Sequence, residues 1–257
     1  MKYLNEVSYK DCVGKICKSK LSGDFKILKY NDKTNVEIRF LKTGYETVAR
    51  LDNIKSGNVK DPYAHSVYGV GVLGTKYKAK INGVITKEYV LWHSMLERCY
   101  SDTFKKKHPT YEGCEASENF KYYEYFYEWC NKQIGFGVEG WQLDKDLLTE
   151  GNKVYSEDSC VFIPSEINKV LVKREALRGE HLIGVSWHKA KKAFKAQVNK
   201  NKGGQKHLGL FNTELEAFNA YKTAKESFIK EQANKWKGQI DERDYNALMN
   251  YTVNIDD

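Results

Sequence analysis

Lys195, Gln197 and Asn199 occupy alternate positions in the run Ala193-Phe-Lys-Ala-Gln-Val-Asn199, interleaved with Phe194, Ala196 and Val198. A strand sends successive side chains to opposite faces. The apolar three therefore turn inward and the polar three face solvent. An amide offers a donor beside an acceptor and can pair with an adenine edge, while an ammonium can sit on a phosphate. Lys189, Lys191, Lys200, Lys202 and Lys206 crowd the ends of the same strand region. This pattern predicts a polar reading face ringed by phosphate-contacting lysines. From Leu171 to Gly238, 15 Lys and Arg stand against 6 Glu, a local +9 in a chain whose total is +8. The basic surface thus belongs to the C-terminal third and suits a polyanionic partner. An ordinary basic sheet without a ligand is the plain alternative.

A second stretch, Trp141 to Lys169, needs four elements to position its polar groups. Trp141-Gln142-Leu143-Asp144 alternates as a short half-buried strand. Gly151-Asn152 and Ser156-Glu157-Asp158-Ser159 are turn chemistry. Cys160-Val161-Phe162-Ile163 is β-prone. Pro164 opens a helix with Ser165-Glu166 in its first turn and Ile167, Val170 and Leu171 on one face. The unit reads strand, loop, strand, helix, with Asp144 on the first strand and Asn168 on the helix.

That layout resembles the ββα-metal motif of HNH endonucleases, especially the homing nucleases of bacteriophages. Asp144 falls on the Asp of their Asp-His pair, Asn152 on their loop Asn and Asn168 on their helix Asn. The resemblance implies one divalent ion, Mg²⁺ or Mn²⁺, held by Asp144 and Asn168 at the scissile phosphate, oxygen ligands that such an ion accepts. Asp146, two residues beyond Asp144 and expected on the same strand face, is a further candidate ligand. The catalytic set carried over is Asp144, Lys145, Asn152 and Asn168, and it departs from the family at Lys145, where the motif has its His. Lysine, with an ordinary pKa of about 10.4, is protonated at neutral pH and takes no proton from water. Either burial depresses Lys145, or another group such as His93 or His108 supplies the base, or cleavage has been lost. A metal-free ββα scaffold is the plain alternative, since a fold does not fix a function.

The C-terminal third carries a second resemblance. His181-Leu-Ile-Gly-Val-Ser-Trp187, Ala193 to Asn199, His207-Leu-Gly-Leu-Phe-Asn-Thr213 and Glu214-Leu-Glu-Ala-Phe-Asn-Ala-Tyr221 read as three short antiparallel strands and a helix. Asn212 or Thr213 caps the helix, and Ala217, Ala220, Tyr221, Ala224 and Phe228 recur at helical spacing. From about Leu182 to Trp236 the series is similar to the DNA-binding domain of plant ethylene-response factors (the APETALA type). In that family the sheet lies in the major groove. The carried-over reading positions are Ser186, His188, Lys192, Gln197, Asn199, Gln205 and His207, beside Lys189 and Lys195 read directly from the strand pattern. The family's several Arg and Trp are replaced here, so no target sequence follows.

Before these units the chain reads as all-β. Asn35 to Phe40 alternates with Val, Ile and Phe inward, flanked by Asp24 to Tyr30 and Tyr45 to Leu51. This three-strand meander resembles a Tudor-type miniature barrel. A second β segment is expected over Ser66 to Thr86, with Asn82-Gly83 as a type I′ hairpin turn. Glu88–Tyr100 and Asn119–Asn131 carry apolar and aromatic stripes of core helices. The six cysteines show no CxxC pair and read as reduced thiols, with Cys99, Cys114 and Cys160 the donors a zinc site would use. No apolar run approaches the ~20 residues that span a bilayer, and no export leader is read at the start. The expected fold class is α+β, in three parts: a small β-barrel-like unit over 1–62, an HNH-like core with packed helices over 63–172, and a three-stranded antiparallel sheet plus helix over 173–257. The two resemblances together imply a phage-encoded, site-specific DNA endonuclease of the homing type, acting on duplex DNA in the bacterial cytoplasm. The alternative is a nuclease-derived, non-cutting DNA-binding protein such as a repressor.

Overall fold

The computed structural model describes residues 9–172, 180–199 and 204–257. The chain is of mixed α+β type and packs as two compact units, Met1–Trp129 and Cys130–Asp257.

The first unit begins with a four-stranded antiparallel sheet, β1 (Ile16–Ser19), β2 (Gly23–Asp32), β3 (Asn35–Phe40) and β4 (Glu46–Ala49), in sequential order. Alternation does the sorting: Phe25, Ile27, Val36, Ile38 and Phe40 are buried on one face, while Lys26, Lys29 and Arg39 stand on the other. Helix α1 (Leu51–Ser56) closes that face with Leu51 and Ile54. The sheet stays open, because no pairing joins β1 to β4 among the described residues. The barrel-like expectation is therefore corrected to an open sheet, and the meander gains β1 as a fourth strand.

The β segment expected over Ser66 to Thr86 is also smaller than its composition suggests. It holds the hairpin β5 (Lys80–Ile81) and β6 (Val84–Ile85), preceded among the described residues by two isolated bridges, Val67 with Gly71 and Val72 with Tyr122. Asn82 and Gly83 both have positive φ, 49° and 83°, as a type I′ turn requires. Gly71 is there for closeness rather than for a strand: a Cβ would lie 2.5 Å from Leu96 Cδ1. Thr86 caps α2 (Lys87–Tyr100) by accepting from the Tyr89 amide. α3 (Asp102–Lys107) and the short strand β7 (Glu115–Ala116) follow. The aromatic stripe expected from Asn119 resolves into a 3₁₀ turn, Asn119–Lys121, and then α4 (Tyr123–Lys132). Trp92 donates its indole N–H to the Phe120 carbonyl at 2.8 Å and packs on Tyr123, so α2 and α4 share a core.

In the second unit, β8 (Trp141–Asp144) pairs antiparallel with β10 (Val161–Pro164), matching Asp144 with Val161 and Trp141 with Pro164. The short strand β9 (Val154–Tyr155) lies in the loop between them. Pro164 is the cap residue of α5 (Ser165–Leu171). Next come β11 (Val185–His188), β12 (Ala193–Asn199) and β13 (Gln205–Phe211), an antiparallel sheet in that order. It is backed by α6 (Glu214–Lys235), followed by α7 (Glu242–Met249). Thr213 opens α6 with a capping box: its hydroxyl accepts from the Glu216 amide, and Glu216 accepts from the Thr213 amide. Val161, Ile163, Ile167 and Val170 share one cluster with Ile229, Ala233, Ile240 and Leu248. Fully burying a side chain of that size stabilises by about 1.5–3 kcal/mol. α5 and α6 are thus packed together across residue 172, where the sequence suggested a junction. Among the described residues, no helix is long and apolar enough to cross a membrane.

Candidate functional site

Asp144 ends β8, and its carboxylate turns the chain there. Oδ1 accepts from the backbone N–H groups of Asp146 and Leu147, at 2.9 and 2.8 Å. Oδ2 has no partner among the described residues. Burial, above all, raises the Asp144 pKa from the usual carboxylate range, with the Asp146 charge adding to it. The two backbone donors and Lys145 pull the other way. Asn168, on α5, donates its Nδ2 to Gln142 Oε1 at 2.7 Å. Gln142 precedes Asp144 by two residues on the same strand, so both project from one face of β8. Asn168 is thereby tied to the face that carries Asp144, with its amide oxygen left unpartnered among the described residues. An open carboxylate oxygen and an open amide oxygen are the hard donors that Mg²⁺ or Mn²⁺ takes, and a cation beside Asp144 would oppose the effect of burial. By the chemistry of their donors the two residues suit one divalent ion.

Lys145 and Asp146 are placed differently from their expectations. β8 stops at Asp144, so Asp146 is positioned by a turn and not by strand alternation. Its Oδ1 accepts from Lys145 Nζ at 2.5 Å. A carboxylate engaged by an ammonium is a poor further metal ligand, and the same-face expectation for Asp146 is corrected. The Lys145 side chain turns inward, leaving the residue 9% exposed. Its Nζ also donates to the Asn152 carbonyl at 2.5 Å and lies over the Tyr155 ring. Asn152 uses its whole amide on the loop: Nδ2 donates to the Lys145 and Val154 carbonyls, and Oδ1 accepts from the Val154 N–H. Lys145 and Asn152 hold the loop between β8 and β10 in shape.

The substitute bases and the zinc donors have surroundings of their own. His93 packs on Tyr68 and Tyr89, and His108 on Phe104 at 4.4 Å between ring centres. Both belong to the first unit. Cys99, Cys114 and Cys160 are buried thiols outside any disulfide, and burial pushes the Cys160 pKa up to about 12. Among the described residues, no three His, Cys, Asp or Glu side chains converge as a metal cluster.

The three-stranded sheet gathers its expected residues on one face. Ala196 and Val198 are buried against α6, so Lys195, Gln197 and Asn199 face away from it. The register sets Ser186 opposite Lys195, Gln197 opposite His207, and Asn199 opposite Gln205. His188 ends β11 on the same side, and its Nδ1 accepts from the Lys191 amide at 3.2 Å, leaving Nε2 as the outward donor. Lys189 and Lys192 lie in the turn joining β11 to β12, with Lys192 at φ 45°. Lys200 and Lys202 fall outside the described residues. Gly184, just before β11, has φ 77°, and a Cβ there would lie 2.1 Å from the Tyr221 ring, so only glycine lets the strand settle on α6.

Two residues of this unit carry no signal in the sequence. Asp244 is fully buried in α7, and among the described residues neither carboxylate oxygen has a hydrogen-bond partner within 3.5 Å. Burial foremost, then the charge of Asp241, opposed by Arg243 and reinforced by Asp144, pushes its pKa up to about 8. In the sequence it reads as an ordinary acid in a helix's first turn. The second is Leu210, which is 41% exposed and paired with Lys195 on the polar face. Comparison with protein-family models, with curated proteins and with solved structures finds no match for this chain.

Proposed function

We propose that the chain is a site-specific DNA endonuclease of the HNH homing type. Its basic three-stranded sheet grips and reads duplex DNA, and its ββα segment hydrolyses a phosphodiester with one divalent ion. The observation that carries the reading is the link from Asn168 through Gln142 to the face of β8 bearing Asp144, which brings two open oxygen donors to one strand face. Asp144 and Asn168 would hold the ion. Bound there, Mg²⁺ or Mn²⁺ polarises a phosphoryl oxygen and stabilises the leaving oxygen. Lys145 and Asn152 keep the loop rigid around Asp144. Ser186, Lys195, Gln197, Asn199, Gln205 and His207 line the reading face, and Lys189 and Lys192 sit at its rim for phosphate contacts.

A second reading is favoured by one observation. The Lys145 ammonium donates to both Asp146 and Asn152, so the position that resembles the family's base carries a structural cation. In that reading the chain is a nuclease-derived DNA-binding protein, such as a repressor, that no longer cuts. The test is to incubate the purified protein with supercoiled and linear DNA that it binds, in Mg²⁺ or Mn²⁺. The endonuclease reading expects nicked or linear product that disappears with chelator and with Asp144→Ala. DNA that is bound yet stays intact, with wild type and with Lys145→His alike, leaves the repressor reading in its place.

A further inference from the structure

We infer that Leu210 reads a thymine in the bound duplex by packing on its 5-methyl group in the major groove, an inference that rests on the DNA-reading role proposed for the sheet. Strict alternation along β13 from the outward His207 would turn Leu208 and Leu210 inward and Phe211 outward. The strand does otherwise. Its register against β12 slips between Ala196 and Gln197, so that Ala196 pairs with Gly209 while Gln197 pairs with His207. Leu208 is the extra residue of a β-bulge, and Gly209 takes φ 148° beside it. Beyond the bulge the phase is reversed. Leu208 still packs with Val198, Phe218 and Tyr221, and Phe211 pairs with Phe194, which is in phase with the buried Ala196. Leu210 is turned to solvent as the third member of the row Ser186, Lys195, Leu210.

The residue types of that row decide what it fits. Single exposed leucines are common on protein surfaces, but this one stands in a row with a hydroxyl and an ammonium on the face ringed by lysines. Phosphates and most base-edge groups are polar. The thymine methyl is the apolar group of the major-groove edge, and apolar side chains are its usual partners. The bulge therefore sets an apolar contact beside Lys195, whose ammonium reaches a neighbouring phosphate or guanine edge. A bulge that re-aims one side chain beside a functional surface is a recurring device.

The experiment uses the full-length chain and duplexes selected from a random pool by the wild-type protein. Each thymine of the selected site is replaced singly by deoxyuridine, which lacks only the methyl. At one position the wild type should lose about fourfold in affinity, the worth of roughly one buried methyl. Leu210→Ala should bind the unmodified duplex weaker by a similar factor and should be indifferent to deoxyuridine at that position. Gln197→Ala, on the neighbouring row, should keep the deoxyuridine effect. If a preferred duplex is selected but no deoxyuridine weakens wild-type binding, or Leu210→Ala keeps the full effect, the assignment of Leu210 is overturned while sequence reading by the sheet stands. If no preferred duplex can be selected, the reading face itself is wrong and the inference goes with it.

Discussion

Lys145 and Asn152 hold each other by reciprocal bonds: Lys145 Nζ donates to the Asn152 carbonyl at 2.5 Å, and Asn152 Nδ2 donates to the Lys145 carbonyl at 2.9 Å. The pair staples the two ends of the loop that follows Asp144. Removing one partner leaves the other's buried polar group unpaired, which costs about 1–3 kcal/mol. Lys145→Met and Asn152→Ala should each lower stability by that amount in urea denaturation. The double variant should cost less than the sum, because a loop loosened by losing one bond holds the remaining bond less well, so the second change removes less. Additive losses would mean that the two residues act independently.

Asp144→Asn and Asn168→Ala should each abolish metal-dependent cleavage of DNA. Both should leave DNA affinity within about threefold of wild type, because the lysines that contact phosphate lie on the separate three-stranded sheet. Plasmid nicking and gel-shift titration measure the two quantities side by side. A large loss of affinity in either variant would place these residues in DNA binding rather than at the ion.

DNA affinity should fall steeply with salt, since each phosphate neutralised by a lysine releases counterions. Lys195→Ala or Lys192→Ala should reduce the slope of log affinity against log salt by roughly 0.9, the value for one phosphate contact on B-DNA. Gln197→Ala and Asn199→Ala should leave the slope unchanged and flatten the preference among sequences. Fluorescence anisotropy over a salt series separates the two behaviours.

Asp244 makes stability depend on pH. Its folded pKa of about 8 lies above the unfolded value of about 3.9, so the folded chain holds the proton more tightly. Its contribution is fully present below about pH 4 and is lost as pH rises through about 8, with a slope approaching 1.4 kcal/mol per pH unit in between. The groups acting on it are Asp241 at the cap of its own helix, Arg243 on that helix and Asp144 at the end of β8. Asp244→Asn cannot ionise, and should flatten the decline between pH 5 and 8.5 in urea midpoints. Parallel pH profiles for wild type and variant would contradict a protonated, buried Asp244.

Much of this architecture is legible in local sequence, because it follows from local rules. Phe194, Ala196 and Val198 point inward because a strand has a period of two. Asn82-Gly83 forms the hairpin because that pair tolerates two successive positive φ values. Thr213 and Glu216 start α6 because a hydroxyl and a carboxylate at that spacing satisfy free helix amides. Other features are set by partners distant in the chain, and only the tertiary structure decided them. The first sheet stays open because, among the described residues, its edge strands do not pair with each other. Lys145 becomes a staple because the loop returns the Asn152 carbonyl to it. Asp244 loses solvent because α7 packs it into the unit's interior. Leu210 faces outward because the pairing of β13 with β12 slips by one residue, and alternation within one strand cannot report a slip that exists only between two.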